Sequence, residues 1–460
     1  MRITPLRAVA AIAVLAVLVA WGARVLRDRR EGEARAALRA ELEAAVAAAL
    51  AARGPVPPAP AGENGADLYH RATAVSVTNA ESTACNMGTF FPLFWMDGRK
   101  PLDPAAAAAA ERNAAYLDLV ARAAAAPSCR FPAIDPSDPE VPELPTGKFA
   151  LLAQLLEVRG RADLEAGRIA AAPATVRLLA KFGGDFLPGD ARHLAAGAWI
   201  LHHAAGVAER AAVHPDLDEA TARALLGALP DPASLDRAFE EAAAIREIQV
   251  KAIAAKVLRP RVRTRLFTYL RWQPVPECPH DLWRFVHPPE EARIFFRRTG
   301  RPDPDASDVR ELLGAWEEFR SAWRGPPTGI YAAEQAILGR MYREACIHGP
   351  TLSSDVLWAS TYPRSFVLHL QGRLACARAA LGVRLFELKN GRPPEDLAGL
   401  VPAFLDAVPL DPWDGKPVRF AAKDEGWLVY VVGPDGRDDG GRKAGNLDDR
   451  GLRYVRAKDE

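Results

Sequence analysis

Apolar residues recur at spacings of three and four through most of the chain, and they give way to short apolar runs bounded by turn residues only near its C-terminal end. The first pattern predicts amphipathic helices, the second short β-strands. Asp103-Pro104 opens one helix, because Asp can cap and Pro suits the first helical position. The Ala-rich run behind it ends before Pro127. Phe149–Glu165 and Ala170–Lys181 read as a helical hairpin turning at Gly167, and Ala153, Gly160 and Ala162 would let its helices approach closely. Further helices are expected at Ala191–Val213 (capped by Asp190), Glu219–Leu229, Ala233–Leu258, Ser307–Trp323 and Ile330–Ile347. The hairpins are tetratricopeptide-like, but the roughly 34-residue period of that repeat is absent, so the pattern predicts an irregular α-helical array. Phe131–Thr146 and Gln273–Pro304 are Pro-rich and interrupt it.

Near Pro363 the pattern changes. Phe366, Leu370, Leu374, Ala377, Leu381, Leu385 and Leu388 place one apolar stripe on a long helix. Asn390-Gly391 supplies a left-handed cap, and Pro393-Pro394 prevents continuation. Glu395–Val401 reads as a short helix. Pro417–Ala422 and Gly426–Val432 read as an antiparallel pair turning at Asp424–Gly426, with Leu452 and Tyr454 on a third strand. The expected fold is mainly α, closed by a small α+β module.

At the other end, Ala8–Ala23 carries no charge, and Val25 and Leu26 extend its apolar character past Arg24. About 17–25 apolar residues cross a bilayer core, so residues 8–26 are expected to form an inner-membrane anchor. A cleavage site for a signal peptide is poor, because Ala20 and Gly22 enclose the bulky Trp21. Arg24–Ala52 continues as a helical stalk that stops at Gly54-Pro55, and Pro55–Pro60 forms a stiff linker. The expected division is 1–53 anchor and stalk, 54–63 linker, 64–362 α-helical domain and 363–460 α+β module. Arg24, Arg27, Arg29 and Arg30 outnumber the basic residues before the span, which by the positive-inside rule keeps the C-terminal side cytoplasmic.

The chain has 460 residues, with 59 basic against 58 acidic side chains, so no global field points to nucleic acid. Its five cysteines show no CxxC spacing, which argues against thiolate zinc sites and thioredoxin-like chemistry. In an oxidising compartment Cys85–Cys129 and Cys278–Cys346 are the expected pairs, with Cys376 left free; the alternative is that all five stay reduced.

The run NGRPPEDLAGLVPAFLDAVPLDPWDGKPVRF, followed by GWLVYVVGPDGRDDGG and an acidic tail at Asn446–Asp449, resembles the C-terminal half of the major pseudopilin of type II secretion systems. The likeness covers about ninety residues, and the whole layout looks like membrane-anchored bacterial envelope proteins ending in this module. The resemblance implies a long helix, a turn at Asp411-Pro412-Trp413, a small sheet and a calcium-binding loop around Gly433, Asp435, Gly440 and Gly441. It implies a periplasmic location for the bulk of the chain, against the charge rule. The departures are an N-terminus without a pseudopilin processing site and a long helical insert. Independently of the resemblance, Asp435, Asp438, Asp439 and Asp448 crowd a Gly-rich stretch, and Ca²⁺ takes 6–8 oxygens at roughly 2.3–2.6 Å. The frame is not an EF-hand, and a solvated acidic loop is the competing reading.

Catalytic signatures are scarce. His193, His202 and His203 are the densest histidine group, yet on a helix they do not share a face. A metal-dependent hydrolase using them is the weakest of three readings. His369 and Cys376 are seven residues apart on the C-terminal helix, too far for a nucleophilic pair. GxSxG, Walker and GxGxxG patterns are absent. Arg259–Trp272, RPRVRTRLFTYLRW, interleaves arginines with apolar and aromatic residues, a pattern that suits anionic headgroups or a snorkelling surface segment. The leading expectation is a membrane-anchored envelope protein with a binding or scaffolding role and protein partners in the envelope. The alternative is a structural component of a type II secretion or pilus-like assembly.

Overall fold

The computed structural model describes residues 5–54, 63–78, 80–81, 101–131, 144–259, 306–348, 353, 357, 364–423, 426–441 and 450–455; the side chains of 5–18, 342, 344–348, 423, 450, 453 and 455 lie outside it. Among the described residues the protein is mainly helical, with one three-stranded antiparallel sheet.

Helix α1, Pro5–Arg53, runs unbroken through the predicted anchor and stalk and ends where Gly54 adopts φ +73°. Its second half is not a free stalk. Leu42 and Val46 are buried against residues of α9, Ala233–Val257, and Arg53 pairs with Glu241 of that helix at 3.8 Å. Among the described residues no helix is long and apolar enough to cross a membrane. Most of the apolar run at 8–23 lies outside those with described side chains, so the described part gives the expected transmembrane helix no support.

The helical array follows the caps written in the sequence. Asn64 caps α2, Gly65–Ala72, accepting from the N–H of Ala66. Asp103 caps α3, Pro104–Arg112, with Pro at the first position as expected. Next come α4, Ala114–Ala125, and α5, Thr146–Glu165. Gly167 turns the chain at φ +75°, and a 3-10 turn at Ile169–Ala171 leads into α6, Ala172–Phe186. Asp190 caps α7, Ala191–Ala212, through the N–H groups of Arg192 and His193. Asp218 caps α8, Glu219–Ala228, which precedes α9. Helices α10, Ala306–Trp323, and α11, Pro327–His348, pack beside α9 and α1 around Trp316, Phe319 and Leu312.

Helix α7 is the hub, contacting α5, α6, α9 and α12, Arg364–Asn390. Small residues make that possible. A Cβ on Gly183 would lie 2.7 Å from Leu201 Cγ, and one on Gly197 would lie 2.8 Å from the Gly183 carbonyl oxygen. Gly160 meets α6 and α7 similarly, through Thr175 and Val207.

Strands β1, Arg419–Lys423, β2, Gly426–Val431, and β3, Arg450–Val455, form a sheet in the order β1-β2-β3. Phe420 lies opposite Val429, and Val429 opposite Leu452. The expected turn at Asp424–Gly426 falls partly outside the described residues. The sheet packs on α12 through β2 and β3.

Two expectations change here. Helix α12 does not bury a single stripe. It is enclosed by α7, α8, α9 and α11 as well as by the sheet, so Gln371, Arg384 and Glu387 are buried alongside its leucines. Glu395–Val401 is not a helix; only a 3-10 turn at Ala398–Leu400 forms, and Val401 is already extended ahead of Pro402, which disfavours helical backbone before it and has no N–H to continue a helix. One hydrophobic cluster runs from Leu68 through α5–α8 and α12 to Trp427 and Leu452, joining the helical array to the sheet. Each large apolar side chain buried there contributes roughly 1.5–3 kcal/mol.

Candidate functional site

Three polar clusters lie in or beside this core. The first joins α5, α7 and α12. His203 Nδ1 lies 2.5 Å from Glu157 Oε2, and Arg210 Nε lies 4.0 Å from the other carboxylate oxygen. Arg373, reaching in from α12, donates to both oxygens of Glu209 at 2.8 and 2.6 Å and to the His202 carbonyl at 3.1 Å. It also contacts His202 Nε2. Gly206 leaves room for the crossing, since a Cβ there would meet Glu157 Oε1 at 3.0 Å and Arg373 Nη2 at 3.1 Å. Burial alone would raise the Glu157 pKa. The hydrogen bond from His203 and the charges of His203, Arg210 and Arg373 overcome it and hold the carboxyl at about 2.

The second cluster surrounds Asp190, which is almost wholly buried at the start of α7. One of its oxygens accepts from the backbone N–H groups of Arg192 and His193 and lies 2.9 Å from His193 Nδ1. The other accepts from the Arg192 guanidinium at 2.8 and 2.7 Å and faces Gln249 of α9 at 3.4 Å. Despite its burial, these donors hold the Asp190 carboxyl well below the usual range. Nearby Arg246 is buried and donates to Gln249; desolvation pulls its pKa down to about 10. Phe131 and Phe186 stand against the His193 ring.

The third cluster is built on the turn between α12 and the sheet. Asp411 is fully buried. Its Oδ1 accepts from the N–H of Trp413 at 2.9 Å, and its Oδ2 accepts from the N–H of Val432 at 2.7 Å and from Arg419. Arg419 also binds both oxygens of Asp414, and its Nε lies 3.7 Å from Asp438 Oδ2. Trp413 then fills a pocket made by Ile330, Leu368 and Val432, with the His369 ring 4.9 Å away. Desolvation pushes the Asp411 carboxyl up to about 6, against the pull of the two N–H donors and Arg419. The Asp-Pro-Trp turn thus nails the end of β2 to the helices behind it.

Of the residues expected to bind calcium, Asp435 and Asp438 are engaged by partners within the module. Asp435 Oδ1 accepts from the N–H of Arg437. Asp438 Oδ1 accepts from the N–H of Gly440 and from the Tyr430 hydroxyl, while its Oδ2 faces Arg419. Asp448 lies outside the described residues. Among the described residues no three His, Cys, Asp or Glu side chains are grouped to hold a metal ion. The donor set around Asp438 is matched to a guanidinium, and in this respect the described residues do not fit calcium.

The three histidines are likewise apart in role: His193 serves Asp190, His203 serves Glu157, and His202 meets Arg373. Cys129 is half-buried and Cys376 is buried. The expected partner of Cys129, Cys85, lies outside the described residues, as does Cys278; so does the Cys346 side chain. Burial pushes the Cys129 thiol up to about 12 and the Cys376 thiol well above its ordinary value, which leaves both poor nucleophiles. Of Arg259–Trp272 only Arg259 is described, and it pairs with Glu43 of α1 at 2.9 Å.

Sequence reasoning missed Glu157, Glu209, Arg373 and Arg419. The available signal was a charge set among apolar positions. Arg373 lies between Gly372 and Leu374, and Glu157 lies between Leu156 and Val158. Comparison with protein-family models, with curated proteins and with solved structures finds no match to this chain.

Proposed function

We propose that the protein is a membrane-tethered scaffold of the bacterial envelope, with its helical array and sheet on the periplasmic side and a role in binding other envelope proteins. The observation that carries this reading is α1: one helix begins in the apolar run and ends docked on the body of the fold. Val19, Trp21 and Leu26 are strongly exposed on it, at 63, 65 and 59 %, and Arg24, Arg27, Arg29 and Arg30 follow. An apolar helix with an interfacial Trp and a basic flank matches the chemistry of a bilayer boundary, while the periplasmic side rests on the pseudopilin resemblance, against the positive-inside rule. Docking of Leu42 and Val46 makes the tether rigid, which sets the body at a fixed distance from the surface.

The polar clusters support a structural role for the body. Their carboxylates are held by arginines, histidines and backbone N–H groups of the same fold, an arrangement suited to locking helices together. The experiment is membrane fractionation of the full chain and of a chain lacking residues 1–26. The full chain should sediment with membranes and resist carbonate extraction, and the shortened chain should be released. Release of the full chain by carbonate would remove the reading.

A second reading is membership of a type II secretion or pilus-like assembly. It is supported by the succession of α12, the Asp-Pro-Trp turn and a three-stranded sheet, the order that the pseudopilin resemblance implies. Copurification with pseudopilins of such a machine tests it.

A further inference from the structure

We infer that Arg419 is the resident cation of the C-terminal module, holding Asp411, Asp414 and Asp438 together so that the module keeps its fold without calcium. The three carboxylates come from separate places: Asp411 and Asp414 from the turn after α12, and Asp438 from the loop after β2. Arg419, at the first position of β1, meets all of them. It therefore ties the turn, the strand and the acidic loop to one point, as a bound divalent ion would.

The hydrogen bonding carries the inference further. A calcium ion needs several carboxylate or carbonyl oxygens directed at a common centre. Here the oxygens of Asp411 are taken by Trp413 N–H, Val432 N–H and Arg419. Those of Asp414 are taken by Lys416 N–H and Arg419, with Lys416 Nζ 3.6 Å away. Asp438 Oδ1 is taken by Gly440 N–H and Tyr430 Oη–H. A divalent ion placed among them would displace these donors and stand beside a guanidinium, so charge repulsion and lost hydrogen bonds both oppose it. The planar, permanently charged guanidinium suits several carboxylates at once, which an ammonium would not match.

The test uses the full chain, with melting temperature read by circular dichroism in EGTA and in millimolar calcium chloride. Wild type should melt at the same temperature in both. Arg419→Ala should melt lower in EGTA, because two largely buried carboxylates lose their counter-charge. Should R419A fail to fold, Arg419→Lys is measured instead; it should fold but melt below wild type in EGTA, since the charge survives without the fork. A calcium-dependent rise in the wild-type melting temperature would overturn the inference. So would an R419A or R419K protein that melts with wild type in EGTA.

Discussion

Arg373 and Glu209 form a two-pronged ion pair across the α7–α12 crossing, with N–O distances of 2.8 and 2.6 Å and both side chains largely buried. The pair ties the helix that carries the sheet into the centre of the helical array. Removing one partner strands a charge, so Arg373→Met should cost about 3–5 kcal/mol. Glu209→Gln should cost less, and the double variant should recover part of the R373M loss. Urea denaturation of the four proteins measures the coupling; additive losses would mean that the pair is not linked.

Glu157 gives the protein a defined acid sensitivity. Its folded pKa of about 2 lies below its ordinary value of 4.5, so the native state binds fewer protons than the unfolded one. The stabilisation is complete above the unfolded value and is lost as pH falls toward about 2. Asp190 acts in the same direction. Melting temperature should therefore fall steeply below about pH 4.5, and Glu157→Gln should flatten that slope while lowering stability at neutral pH. Asp411 runs the other way: its raised pKa means that protonation of this group alone favours the native state between about 6 and 3.8, so Asp411→Asn should steepen the acid slope.

Glu334 of α11 is a buried carboxylate that serves another helix. It accepts from Trp323 Nε1 at 2.8 Å and from the N–H groups of Arg364 and Ser365 at 2.6 and 3.4 Å, capping the start of α12. Glu334→Ala leaves these donors buried without an acceptor, at a cost of about 1–3 kcal/mol for each lost partner. The readouts are urea stability and the emission of Trp323, which should shift in E334A; unchanged stability would remove the cap.

Glycines separate into those that carry a crossing and those that do not. Gly197→Ala should destabilise by about 1–3 kcal/mol, because its Cβ would lie 2.8 Å from the Gly183 carbonyl. Gly227→Ala, with nothing within 4 Å, should instead stabilise α8 by roughly 0.5–1 kcal/mol. Thermal melts of the two variants should move in opposite directions.

These contrasts also show what was legible in the sequence. Caps and periodicity placed α5–α9, because Asp190, Gly167 and the apolar spacing act locally. The sheet was legible because the short β-branched and aromatic run Gly426–Val431 is bounded by turn residues at both ends, too short for a packed helix. Burial around α12 was not, since a single stripe predicts one neighbour and the helix has several. The clusters at Glu157 and Arg419 were hidden for a related reason: their partners are 46 and 8 residues away in sequence and meet only through tertiary packing. The Asp-rich loop drew attention to Asp435 and Asp439, whereas the packed carboxylates are Asp411 and Asp414.

On the proposed reading α1 holds the body of the fold outside the cytoplasm. The direct measurement is protease accessibility of the full chain, tagged at its C-terminus, in intact Gram-negative cells and in spheroplasts. The tag should be protected in intact cells and lost in spheroplasts, while staying with the membrane fraction until digestion. A tag that survives in spheroplasts and is cleaved only after lysis would place the body in the cytoplasm and contradict the claim.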